Sequence, residues 1–146
     1  MSTAADILRA KPSQAIHAIG PHASVFDALR LMAEKGVGAL LVMEDERIVG
    51  ILSERDYARK IALMSRASRD TAVADIMTRS VLCVPPRLTS EECMALMTTN
   101  RIRHLPVMDD DELLGVISIG DLVKDIISEQ QFTIVQLEHY IMGIRA

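Results

Sequence analysis

The hydrophobic pattern of the chain switches period in a fixed order. After Ser24, apolar residues stand at 25, 28, 29 and 32, the i, i+3, i+4, i+7 spacing of one helix stripe, and Gly36 is placed to end that helix. The apolar run 38–43 predicts a buried strand, Glu44-Asp45-Glu46 a polar turn and 48–52 a second strand, after which Ser53 opens a helix to about Met64. The order then returns. A helix is predicted from Thr89, a strand over 103–108, an acidic turn over 109–112, a strand over 113–117 and a helix from Ser118 to about Ser128. A short strand, 16–19 or 81–84, precedes each set and runs out at Pro21 or Pro86. Each copy therefore reads β-α-β-β-α. Phe132, Ile134, Val135, Leu137, Tyr140 and Ile141 put a wide apolar surface on a terminal helix over 131–146, expected to pack against the chain's own repeats, with cover by a partner subunit as the alternative.

The recurrence is a sequence repeat and not only a pattern. Gly50-Ile51-Leu52-Ser53-Glu54-Arg55-Asp56 returns as Gly115-Val116-Ile117-Ser118-Ile119-Gly120-Asp121, an offset of 65 that also pairs Pro21 with Pro86, Met32 with Met97 and Val42 with Val107. Thr3 to Leu8 is echoed by Thr71 to Met77 at an offset of 69 (Asp6 to Asp75), so four extra residues follow the first echo, around Lys11-Pro12-Ser13. Two copies of one supersecondary unit predict an α/β (α+β) fold of two repeats with pseudo-two-fold symmetry, two related clefts and flanking N- and C-terminal helices. The expected boundaries are 13–69 and 77–130 for the repeats and 131–146 for the terminal helix.

Composition narrows the function. The 146 residues carry a net charge of −4, 3% aromatics and no Trp, which removes the basic footprint and the stacking platforms a nucleic-acid binder uses. No apolar run is long enough for a membrane span and the N-terminus lacks a signal-peptide layout, so the cytoplasm is the expected compartment. Cys83 and Cys93 have no CxxC spacing and His17, His22, His104 and His139 no ligand spacing, so free thiols and no metal are expected.

The candidate chemistry lies in the repeated Ser-x-x-Asp. A Ser at a helix N-cap with an acid three residues on is a capping box, which alone accounts for the pattern. Its return in both copies, after a buried strand and an acidic turn, points further. A carboxylate at a helix N-terminus can accept from both hydroxyls of a ribose, while the Ser hydroxyl and the helix dipole favour phosphate.

Pro-x-x-Ser-x-x-x-Ala-x-x-x-Met over 21–32, then Gly-Ala-Leu-Leu-Val or Arg-His-Leu-Pro-Val, then Gly-apolar-apolar-Ser-x-x-Asp resembles the cystathionine beta-synthase (CBS) domain, here in tandem over roughly 13–130. The second copy departs from it with Cys93 in place of the alanine. The resemblance implies a regulatory pair without catalysis, a homodimer, and two clefts for adenosine-containing ligands: AMP first, with NAD(H), ADP or ATP as alternatives. It groups Ser53, Arg55, Asp56, Arg79, Val81, Leu82, Ile102, Arg103, His104 and Pro106 in one nucleotide-binding cleft. The other takes Ser118, Asp121, Gln14, Ile16, His17, Val37, Gly38, Ala39 and Leu41. Adenine would lie between apolar side chains of the strands. Arg103-His104 stands where the first copy has Gly38-Ala39, so the Asp56 cleft is expected to be the one that requires a phosphate. His104 before Leu-Pro-Val also reads as a half-buried packing residue. An enzyme is the first rival, but no nucleophile elbow, P-loop or second carboxylate in register with Asp56 appears. A ligand-free protein-interaction scaffold is the second. The expected partners are thus an adenosine-containing small molecule, a second copy and a regulated protein, with no nucleic acid and no membrane.

Overall fold

A computed structural model describes residues 2–143. The chain forms two compact units, 16–81 on one side, and the residues up to Ala15 together with those from Leu82 onward on the other. The first repeat supplies most of the 16–81 unit. Its elements are β1 (Ala18–Ile19), α2 (Val25–Lys35), β2 (Ala39–Glu44), β3 (Arg47–Ser53), α3 (Glu54–Tyr57) and α4 (Val73–Ile76); α1 (Ala4–Ala10) belongs to the other unit. Strand β1 runs parallel to β2, and β2 antiparallel to β3. The second repeat supplies α5 (Ser90–Asn100), β4 (His104–Asp109), β5 (Glu112–Ser118) and α6 (Ile119–Ile141), which with α1 make the second unit.

The hairpins are copies down to their irregularities. Met43 pairs with Ile48 and Val42 with Gly50, leaving Val49 as a bulge; Met108 pairs with Leu113 and Val107 with Gly115, leaving Leu114 as the bulge. In the first turn Asp45 and Glu46 both take positive φ, as a two-residue hairpin turn matched to the twist of its strands requires. Helix α2 ends on Gly36 at φ 65, and α5 ends on Arg101 at φ 54, the matched position without the glycine.

The two echo segments close the units. In the 16–81 unit the chain pairs Ser24 with Ala72, and Val73 N–H donates to Ala23 O at 2.8 Å. Val73, Ile76 and Met77 complete a core of Val25, Ala28, Met32, Leu40, Val42, Leu52 and Ile61. In the other unit Thr3 pairs with Thr89, Ala4 N–H donates to Leu88 O at 2.7 Å, and Ala4, Ile7 and Leu8 join Val84, Cys93, Met97, Leu105, Val107, Ile117 and Leu122. Each hairpin glycine admits its echo segment. A Cβ on Gly50 would lie 2.6 Å from Met77 Sδ, and one on Gly115 would lie 2.8 Å from Leu8 Cδ2.

Four elements differ from the sequence reading. Of the strand expected over 16–19 only Ala18–Ile19 pairs, and the one over 81–84 shrinks to a single bridge between Val84 and Val107. In the first repeat Leu41 N–H donates to His17 O at 3.2 Å; the matched donor in the second is Pro106, which has no N–H. The helix after Ser53 widens after Tyr57 into a π turn, Ala58–Ala62, and stops short of Met64. The break expected between 128 and 131 is absent, because Ser128-Glu129-Gln130-Gln131 holds no Gly or Pro and α6 runs on to Ile141; residues 144–146 of the expected 131–146 helix lie outside the described residues.

Candidate functional site

Both Ser-x-x-Asp motifs sit where a strand hands over to a helix, and both form capping boxes. Ser53 N–H donates to Asp56 Oδ2 at 3.0 Å, and Asp56 N–H donates back to Ser53 Oγ at 3.2 Å. Ser118 N–H donates to Asp121 Oδ2 at 2.8 Å, with the return bond from Asp121 N–H to Ser118 Oγ at 3.1 Å. The structural role of the pattern is therefore filled in each copy. What surrounds the second carboxylate oxygen distinguishes them.

Asp56 is saturated. Its Oδ1 accepts from Thr78 Oγ1 at 3.2 Å and lies 3.5 Å from Lys60 Nζ, while Ser53 Oγ adds a bond to Oδ2 at 3.1 Å. Lys60 is itself held by Ile76 O at 2.9 Å. Thr78 and Lys60 were not expected at this corner; the first arrives with the echo segment and the second through the helix turn that follows Asp56.

Asp121 is engaged on one side only. Lys11 Nζ reaches its Oδ2 at 3.1 Å and donates to Val116 O at 2.8 Å, and among the described residues Oδ1 accepts no hydrogen bond. The Asp121 side chain is 16% exposed and that of Lys11 28%. Burial pushes the Asp121 carboxyl up, but the Ser118 N–H and the Lys11 ammonium outweigh it and hold the group below the ordinary carboxylate range. The corner is thus an ionised carboxylate with a free oxygen, a neighbouring ammonium and the N-terminus of a 23-residue helix. Sequence reading passed over Lys11, whose only signal was its place among the extra residues after the first echo.

The other expected residues fall as follows. With Asp56, the 16–81 unit carries Ser53, the exposed Arg55 and Arg79, and the half-buried Val81; Arg79 Nη2 is tied to Ala74 O at 3.1 Å. It also carries Ile16, 38% exposed, His17, Val37, Gly38 and Ala39, half-buried, and Leu41, buried. Gly38 O accepts from Glu54 N–H at 3.0 Å, so this residue, grouped by the resemblance with Asp121, also supports the helix start of Asp56. The second unit carries Leu82, Ile102 and His104, half-buried, Pro106, buried, and Arg103, exposed. Arg103 O accepts from Ile119 N–H at 2.8 Å, at the helix start that carries Asp121. Gln14 belongs to this unit as well, its Nε2 donating to Leu8 O at 2.8 Å. Cys83 is exposed and Cys93 buried, neither in a disulfide, and no helix among the described residues is long and apolar enough to cross a membrane.

Comparison with known proteins gives one family. The CBS domain profile matches residues 4–63 and 73–128, so each match takes in one of the echo segments. The Arabidopsis thaliana protein CBSX3, mitochondrial, is 42% identical over 125 residues, covering 82% of this chain and 61% of that protein, so the chain spans about three fifths of its relative. A Burkholderia ambifaria structure described as a signal-transduction protein with CBS domains superposes with a TM-score of 0.86 at 53% identity, covering 88% of this chain and 96% of the other. A crystal structure of CBSX2 in complex with AMP superposes at 0.72 with 30% identity, covering 89% and 99%. A duplicated profile match over most of the chain, on a fold that repeats its hairpins bulge for bulge, makes this protein a member of the CBS domain family with two CBS repeats in tandem.

Proposed function

We propose that the chain is a regulatory module, without catalysis of its own, that senses adenine nucleotides through its Ser-x-x-Asp corners. AMP is the first candidate, with NAD(H), ADP and ATP as alternatives. The observation that carries the reading is the Asp121 corner. A carboxylate held ionised with one oxygen free suits the paired hydroxyls of a ribose, and the ammonium 3.1 Å away suits a phosphate. AMP in the CBSX2 crystal structure supports the ligand class.

On this reading Asp121, and not Asp56, is the charge-reading corner. Lys11 comes from the segment around Lys11-Pro12-Ser13 that has no counterpart in the second copy, so the matched pairs Arg103-His104 and Gly38-Ala39 do not carry it. A ligand at Asp56 must displace Thr78 or share Oδ1 with it, a feature that favours the ligand-free scaffold reading for that corner. The strand residues named above remain the proposed adenine contacts, and the chain is proposed to work as a cytoplasmic homodimer on a protein partner.

Calorimetry with AMP and adenosine on the wild type, Asp121→Asn and Asp56→Asn tests this. Asparagine keeps a cap acceptor, so the loss reads the charge. A charge-assisted hydrogen bond is worth about 1.5–3 kcal/mol, so Asp121→Asn is expected to weaken AMP by roughly ten- to hundredfold, with a smaller loss in Asp56→Asn. Equal AMP affinity in Asp121→Asn and wild type would sink the site, and no binding of any adenine nucleotide by the wild type would leave the scaffold reading.

A further inference from the structure

The chain leaving α1 is built so that it aims one side chain. Lys11 caps the helix at φ −67 and ψ 141, and its N–H donates to Leu8 O at 3.2 Å. Pro12 follows, and a residue ahead of a proline is held out of the helical region, so local sterics favour the extended backbone that Lys11 shows. Ala15 N–H then donates to Ser13 Oγ at 3.1 Å and turns the segment. Two residues of this stretch grip neighbouring positions of β5. Leu8 lies against Gly115, where an added Cβ would stand 2.8 Å from Leu8 Cδ2, and Lys11 Nζ donates to Val116 O at 2.8 Å.

Gln14 closes the turn from behind. In a continuing helix the Leu8 carbonyl would accept from residue 12, but Pro12 has no N–H to give. The Gln14 side chain fills that place, with Nε2 donating to Leu8 O at 2.8 Å and to Lys11 O at 3.3 Å. An amide nitrogen has two N–H groups, and these carbonyls take both. They belong to the same residues that touch β5. The ammonium of a lysine rides on a long flexible stem, so it is placed only as well as the backbone that carries it.

We infer that Gln14 is a positioning residue: its amide holds the turn from Leu8 to Lys11 so that the Lys11 ammonium stands at Asp121 Oδ2, 3.1 Å away. The family resemblance groups Gln14 with the nucleotide contacts; here its donors are spent on the backbone and it acts through Lys11. The inference rests on the proposed nucleotide reading for its effect on a phosphate, and on the Lys11–Asp121 pair alone for its effect on the carboxylate. Among the described residues Lys11 supplies the charge that bears on Asp121, and Ser118 the remaining bonds.

The test uses the full chain as wild type, Gln14→Leu, Lys11→Met and the double variant. Leucine keeps bulk and removes both donors, and Gln14 is exposed, so the variant is expected to fold. The first readout is the titration of the Asp121 carboxyl by NMR. Gln14→Leu is expected to raise its midpoint part of the way to that of Lys11→Met, and to change nothing further once Lys11 is methionine. The second is calorimetry with AMP and adenosine. Loss of a neutral hydrogen bond corresponds to roughly two- to tenfold in affinity, so Gln14→Leu is expected to weaken AMP by that factor, to leave adenosine unchanged, and to have no effect on AMP in the Lys11→Met background. An Asp121 midpoint unmoved in Gln14→Leu would overturn the inference. An AMP loss that persists without Lys11, or that adenosine shares, would also overturn it, since Gln14 would then touch the ligand itself. Should the wild type bind no adenine nucleotide, the nucleotide reading falls and the titration alone decides whether Gln14 positions Lys11.

Discussion

Replacing Lys11 by Met removes an ammonium and keeps most of the stem, and the structure sets what should follow. Lys11 Nζ donates to Val116 O at 2.8 Å and pairs with Asp121 Oδ2 at 3.1 Å, from side chains 28% and 16% exposed. Charge-assisted bonds are worth about 1.5–3 kcal/mol when dry, and partial solvent screening brings the expected loss at neutral pH to roughly 1–2 kcal/mol. The pH dependence separates the two contacts. The folded-state pKa of Asp121 is depressed, so its ionised form adds stability that is present above the unfolded carboxylate pKa and lost as pH falls through the folded value. In Lys11→Met the Ser118 N–H and hydroxyl alone still oppose burial, so the carboxyl moves up and that stability is lost at a higher pH. Urea unfolding of both proteins at neutral pH, and in steps down through about pH 4 to 3, checks this. The wild-type advantage is expected to narrow on the acid side to the part owed to Val116 O. An advantage constant with pH would mean that Lys11 only ties the N-terminal segment to β5, and would remove the ammonium from the nucleotide site.

The remaining predictions concern the joints between echo segments and hairpins. Gly50→Ala puts a Cβ 2.6 Å from Met77 Sδ and 3.0 Å from the Thr78 carbonyl, and is expected to cost about 2–3 kcal/mol in urea unfolding; Gly115→Ala meets only the Leu8 side chain, which can turn aside, and is expected to cost about 1 kcal/mol. Equal costs would mean that Met77 yields as readily as Leu8. Gly36→Ala must hold alanine at φ 65, which costs about 1 kcal/mol, whereas Gly20→Ala, with open space and no positive φ, is expected to leave the unfolding midpoint unchanged.

The sequence by itself determined most of the local structure. The stripe after Ser24, the run 38–43 and the Ser53 and Ser118 caps are properties of a few consecutive residues, and the structure has α2, β2 and both capping boxes where the pattern puts them. The repeat offset carried the equivalence of the hairpins, and the family motifs carried the membership. Absolute pairing was less legible: that 81–84 yields only one bridge depends on Pro106 lying opposite Leu82, a fact about two segments and not one.

What only the tertiary structure decided is where the echo segments go. Residues 3–11 complete the core of the second repeat, about 80 residues onward in the chain, while 71–78 complete that of the repeat just before them. Periodicity cannot say which hairpin a short apolar segment will cover, because the burial gained is much the same on either copy. Those placements bring Lys11 to Asp121 and Thr78 to Asp56, so the two corners, alike in sequence, end among the described residues with one carboxylate oxygen free in one and none in the other. The motif fixes a carboxylate at a helix start by local hydrogen bonds; its charge partner comes from a distant segment and is settled only when the core closes.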